Sequence, residues 1–269
     1  MNGDPHGLEL LTAVLAAAGV PADVVAGRRL GHGMSGDLVL QIRVPIAAFA
    51  KIGAADRRIS REELAREIAV LAWLDGRCGG PRLIWSGEVE GRPALLMEAL
   101  EGAPLHELTG EDAHAGAIVA ITALANLHAL PIADCPFDER LALKLAESRR
   151  RIDAGEVTEG DFDPERLGRT AEQVWADLER LLPADEDLVV THGDASWPNF
   201  IIQPGRPAGL IDLGRAGVAD RYQDLALFAR SGRRNAPELD VPALLAKHYP
   251  LADLDPGKLE FYRILDELY

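Results

Sequence analysis

A chain of 269 residues is long enough for one large domain or two modest ones, and 48% hydrophobic with 26% charged residues is globular composition that excludes wholesale disorder. With 28 Lys+Arg against 43 Asp+Glu the formal charge is −15. That excess argues against nucleic acid, whose phosphates call for a basic surface, and favours cationic ligands. Cys78 and Cys135 lie far apart and outside any CxxC pattern, so neither a disulfide framework nor a zinc site is expected. No Lys or Arg precedes an apolar run in residues 1–7, and the weakly polar stretch 117–133 is interrupted by Asn126, His128 and Pro131. No leader and no membrane span are expected, and a soluble, cytoplasmic protein is the resulting expectation.

Residues 8–18 have apolar positions at helical spacing and stop at Gly19 with Pro21 beyond. The glycine-rich stretch 31–36 is followed by β-like runs at 38–44 and 47–52. Ser60-Arg61-Glu62-Glu63 predicts a capping box opening a helix whose stripe is Leu64, Ile68 and Leu71. Strands are predicted at 84–85 and 94–97 around the Glu90-Gly91 turn. Beyond residue 104 the texture becomes helical, at 113–130, 141–154, 171–182 and from 223 to 269. Short β-like stretches at 188–191 and 209–211 interrupt it. The shift divides the chain into a strand-rich lobe, 1–97, a hinge, 98–103, and a larger helical lobe, 104–269.

Gly31-His32-Gly33-Met34-Ser35-Gly36-Asp37-Leu38 fits G-x-G-x-x-G-x-(aliphatic). Such glycines let backbone N–H groups approach a phosphate. A dinucleotide fingerprint requires this loop to open a helix, whereas here a β-like run follows, the arrangement of a kinase loop; an ordinary glycine hairpin explains the loop alone equally well. Lys51 lies in an apolar strand and needs either water or an anion. Glu67 falls on the apolar face of its helix, between Leu64 and Leu71, and needs a cation. Pairing them resolves both and directs the lysine at phosphates beneath the loop.

His192-Gly193-Asp194-Ala195-Ser196-Trp197-Pro198-Asn199 has the form H-x-D-x-x-x-x-N, and Ile211-Asp212-Leu213-Gly214 supplies an apolar run ending in D-x-G. Phosphoryl transfer needs oxygen ligands for a divalent metal, here Asn199 and Asp212, and a carboxylate for the attacking hydroxyl, here Asp194. Taken singly, each aspartate reads as a turn or strand-end cap, and His192 as a structural histidine bonded to nearby backbone. The order of the five parts along the chain favours the catalytic reading for the aspartates.

At these residues, and in 209–224 and 261–269, the chain resembles the aminoglycoside 3′-phosphotransferases, and thinner similarity extends over nearly its whole length. The resemblance implies an α+β, bilobal protein-kinase-like fold with a small antiparallel-sheet N-terminal lobe and a larger, mainly helical C-terminal lobe. It implies ATP or GTP as co-substrate with Mg2+, a nucleotide held between the lobes, and γ-phosphoryl transfer to an aminoglycoside hydroxyl, the 3′ position being expected, with antibiotic resistance as the outcome. Gly33 and Ser35 would face phosphate beside Lys51 and Glu67, Phe49 would stack on the purine, and Met97, Glu98 and Leu100 would form the hinge. Asp163, Glu165, Asp266, Glu267 and Tyr269 would line a cleft for the polycation. After Arg230-Ser231 the family commonly carries acidic residues, where this chain has Gly232-Arg233-Arg234-Asn235. Two arginines facing a polycation would cost binding unless they point elsewhere. A monomer or weak dimer is expected. The alternatives are a kinase of another small hydroxylated metabolite, a nucleotide-binding protein of this fold without activity, and, resting on the glycine loop alone, a dinucleotide-dependent oxidoreductase.

Overall fold

The computed structural model describes residues 5–21, 27–32, 37–43, 46–54 and 58–269. The chain divides into two compact units, residues 1–101 with Gly209–Gly214, and Gly102–Ala208 with Arg215–Tyr269. The segment carrying Asp212 therefore groups with the first unit, although the sequence reading assigns 104–269 as a whole to the second lobe.

The first unit is an antiparallel sheet of β1 (Gly27–His32), β2 (Leu38–Ile42), β3 (Ala48–Ile52), β4 (Leu83–Val89) and β5 (Arg92–Glu98), in the order β1-β2-β3-β5-β4. Strand alternation sends Leu38, Leu40, Ile42, Ala48, Ala50 and Ile52 to one face. There Leu10, Leu11, Val14 and Leu15 of α1 (Pro5–Ala17) bury them in a single apolar cluster. Phe49 and Lys51 alternate onto the other face, opposite Met97 and Leu95 of β5. This face is covered by α2 (Arg58–Leu74), whose Leu64 and Leu71 are buried. The residues after the glycine loop form a strand, which removes the dinucleotide reading because that reading needs a helix there.

The helix expected to open at Ser60 begins earlier, at Arg58. Ser60 is inside the helix and fully buried, and its hydroxyl accepts the Ala54 N–H at 2.8 Å while donating to Asp37. The capping-box expectation is therefore corrected: this serine ties the helix to the end of β3 and the start of β2.

In the second unit, α3 (Gly110–His128) buries Ala113, Ala117, Ala120, Ile121, Leu124 and Leu127, one helical face. The helices α4 (Leu141–Asp153), α5 (Ala171–Arg180), α6 (Tyr222–Asn235), α7 (Val241–His248) and α8 (Pro256–Leu268) follow. A two-stranded antiparallel pair, β6 (Leu188–Thr191) and β7 (Gly217–Asp220), brackets the H-x-D segment. Trp197 and Phe200 of that segment pack on Phe228 of α6, with centroids 5.8 and 5.4 Å away, so an aromatic cluster anchors the loop. Among the described residues, no helix is long and apolar enough to cross a membrane.

Candidate active site

Within the first unit the three charged residues singled out from sequence meet. Lys51 Nζ donates to Glu67 Oε1 at 2.8 Å and Oε2 at 3.1 Å, and to Asp212 Oδ1. Lys51 and Glu67 are nearly buried, with side chains 13% and 9% exposed, while the Asp212 side chain is 52% exposed. Burial works against the ammonium, but the charges of Glu67 and Asp212 and their hydrogen bonds outweigh it and push Lys51 above its ordinary range. Burial also pushes Glu67 up, with Lys51 opposing it, so the carboxylate depends on its lysine. Asp212 adopts a left-handed backbone with φ of 57°, which aspartate tolerates better than most residues.

Phe49 is half-buried and shares the Lys51 face, paired in register with Met97, which is buried. Glu98 ends β5 and is exposed, and Leu100 is half-buried. Gly33 and Ser35 lie outside the described residues.

In the second unit, strand β6 delivers the chain into the segment 192–199. Asn199 Nδ2 donates to the Asp194 carbonyl at 2.9 Å, to Asp194 Oδ2 at 3.1 Å and to Ser196 Oγ at 3.2 Å. The five-residue spacing thus closes a small ring that fixes the Asp194 side chain. His192 is fully buried; its Nδ1 accepts the Asp194 N–H at 3.3 Å, and its ring stacks on Phe200. That is the backbone-bonding role expected of it.

The residue that holds this loop was not singled out from sequence. Asp224, fully buried on α6, accepts the N–H groups of His192 at 2.6 Å and Gly193 at 2.9 Å. It also meets His128 Nε2 at 2.9 Å, and His128 Nδ1 meets the Tyr249 hydroxyl at 2.6 Å. Burial pushes the Asp224 carboxyl up, yet the bonds and charge from His128 and the His192 contacts prevail and hold it below the ordinary carboxylate range. Gln223 adds a bond from Nε2 to the Gly193 carbonyl at 3.2 Å. Gly193 has φ of 84°, and a Cβ there would stand 2.1 Å from the Arg215 carbonyl oxygen, so only glycine fits beneath the loop.

The acidic residues read as substrate-facing are also gathered in this unit, but with guanidinium partners. Asp163 is fully buried and pairs with Arg230 at 3.0 Å, Arg263 at 3.3 Å, Arg166 at 3.4 Å, Arg233 at 3.7 Å and, closer still, Arg234. Glu165 pairs with Arg233 at 2.8 Å, Asp266 with Arg230, and Glu267 with Arg166. Lys144 Nζ lies 4.2 Å and Arg215 Cζ 5.4 Å from the centroid of the Tyr269 ring.

The model of the phosphotransferase enzyme family matches residues 28–262. An aminoglycoside 3′-phosphotransferase of Escherichia coli is 36% identical over 265 residues, covering 94% of this chain and 96% of that protein. The chain belongs to the aminoglycoside 3′-phosphotransferase family. A crystal structure of a type VIII member superimposes with a TM-score of 0.80 at 32% identity, covering 97% of this chain and 99% of that one. An aminoglycoside phosphotransferase from Streptomyces rimosus, solved in complex with ADP and streptomycin, gives a TM-score of 0.77 at 26% identity, covering 97% and 98%. The family fold is α+β and protein-kinase-like, and the chain is a phosphotransferase enzyme of that fold.

Proposed function

We propose that the protein transfers the γ-phosphoryl group of ATP to a hydroxyl of an aminoglycoside, the 3′ hydroxyl being the position its relatives are named for. The observation that carries the reaction class is the Asp194–Asn199 ring, a carboxylate held by its own asparagine in a loop whose His192 and Gly193 N–H groups donate to Asp224. A carboxylate so fixed can orient an attacking hydroxyl and accept its proton. Lys51, charged and braced by Glu67, supplies the cation for the α- and β-phosphates. Phe49 and the backbone from Met97 to Leu100 are assigned to the nucleotide base, and Gly33 and Ser35 to the phosphates. The relative solved with ADP supports ATP as co-substrate.

For the divalent ion, Asn199 and Asp212 fit by donor chemistry. Three acceptors take Asn199 Nδ2, which turns the amide oxygen away from them, and the Asp212 side chain is half exposed. Both are the hard oxygen donors Mg2+ requires. Bound there, Mg2+ would neutralise developing charge on the phosphates.

Asp194→Ala should lower turnover by roughly 10²–10⁴ while nucleotide affinity changes little. The assay is ADP release with an aminoglycoside acceptor, alongside ATP binding by calorimetry. Near-normal turnover by that variant would remove Asp194 from the reaction.

A further inference from the structure

The carboxylates expected to receive an acceptor's ammonium groups are already engaged. Asp163, Glu165, Glu260, Asp266 and Glu267 face the guanidiniums of Arg166, Arg230, Arg233, Arg234 and Arg263, so this cluster is close to neutral within a chain of charge −15. Three of the arginines, Arg166, Arg230 and Arg263, are sequestered, with side chains 5–15% exposed. Arg233 and Arg234 differ: their side chains are 48% and 51% exposed, and they cap Asp163 and Glu165 from the solvent side.

The cluster is continuous with the catalytic loop. Trp197 N–H donates to Ser231 Oγ at 2.9 Å, and the adjacent Arg230 spans from Asp163 to Asp266. Asp266 lines a small cavity together with Gly193, the neighbour of Asp194, and with Lys144 and Tyr269. A hydroxyl presented to Asp194 therefore brings the rest of its molecule toward these groups.

We propose that Arg233 and Arg234 set acceptor specificity. Their guanidiniums hold the carboxylates that an amine-rich acceptor would engage, and so direct the enzyme to acceptors that carry hydroxyl groups in place of some amines. An incoming ammonium must displace a guanidinium and then sit beside it, whereas a hydroxyl can accept a hydrogen bond from the same N–H groups. The inference rests on the aminoglycoside reading above.

The test compares paromomycin with neomycin, which differ by one hydroxyl-for-amine exchange. Wild type should favour paromomycin. The Arg233→Ala/Arg234→Ala double variant should shift the kcat/KM ratio toward neomycin by about five- to tenfold, chiefly through KM, and less at high salt. Glu165→Gln, which removes one of the two carboxylates that Arg233 pairs with, should move the ratio the other way. A double variant that melts like wild type and keeps the wild-type ratio overturns the inference while leaving the aminoglycoside reading intact. Wild-type enzyme that phosphorylates neither compound, nor any other aminoglycoside, overturns that reading and the inference with it.

Discussion

The two charged clusters are built in opposite proportions. In the first unit one ammonium, Lys51, serves two carboxylates, Glu67 and Asp212. In the second unit one carboxylate, Asp163, is shared among five guanidiniums, with further acids closing the outer bonds. Lysine is a compact point charge and arginine a rigid fork of five donors, so the first arrangement leaves negative charge over and the second matches five guanidiniums to five acids. The surplus in the first is carried by Asp212, the exposed member, which is the residue proposed above to hold the divalent ion. The second has no such surplus.

Three substitutions probe this contrast. Lys51→Met should cost the most, about 3–5 kcal/mol, because it strands the Glu67 carboxylate in a buried site. Urea unfolding measures the loss, and adding Glu67→Gln should recover most of it. If the double variant is no more stable than the single, the pair is not the source of the cost.

Asp163→Asn should follow, at about 2–3 kcal/mol near neutral pH, since five arginines lose one carboxylate but all except Arg234 keep another among Glu165, Glu260, Asp266 and Glu267. Burial alone would raise the Asp163 carboxyl; Arg230 and Arg234 overcome this and hold it below its ordinary value. As pH falls the unfolded chain therefore takes up this proton first, and the contribution is lost below the ordinary aspartate range of about 3.9. The gap in melting temperature between wild type and variant should be widest near neutrality and narrow in acid. An equal gap at both ends would disprove the charge assignment.

Arg234→Ala should cost least, below about 1 kcal/mol, because the residue is half exposed and Asp163 keeps Arg166, Arg230 and Arg263. A loss as large as that of Lys51→Met would erase the distinction between the clusters.

What could be read from the sequence was what announces itself locally. A lysine in an apolar strand and a glutamate on an apolar helix face each lack a partner within their own element, so their pairing is inferable. The spacing from Asp194 to Asn199 closes within one loop. Ser60 carries the local signature of a cap, but its hydroxyl is claimed by Asp37 and the Ala54 N–H, a tertiary demand that a capping pattern does not encode. Asp224 gives no local signal: it binds backbone about thirty residues earlier and a histidine 96 positions away. The arginines at 233 and 234 were legible as a departure, with binding cost or an outward orientation as the options. The structure supplies a third, in which they lie on the very acids read as substrate-facing.

The segment 209–214 has one further consequence, for recombination between relatives. It is the only stretch after residue 101 that groups with the first unit, and it brings Asp212 to Lys51. Grafting residues 1–101 of this protein onto the remainder of another family member would look like an exchange of intact modules, yet it would give Lys51 a foreign aspartate loop. A chimera designed to preserve inherited contacts has to carry 209–214 with the N-terminal piece, as a second, separate insert.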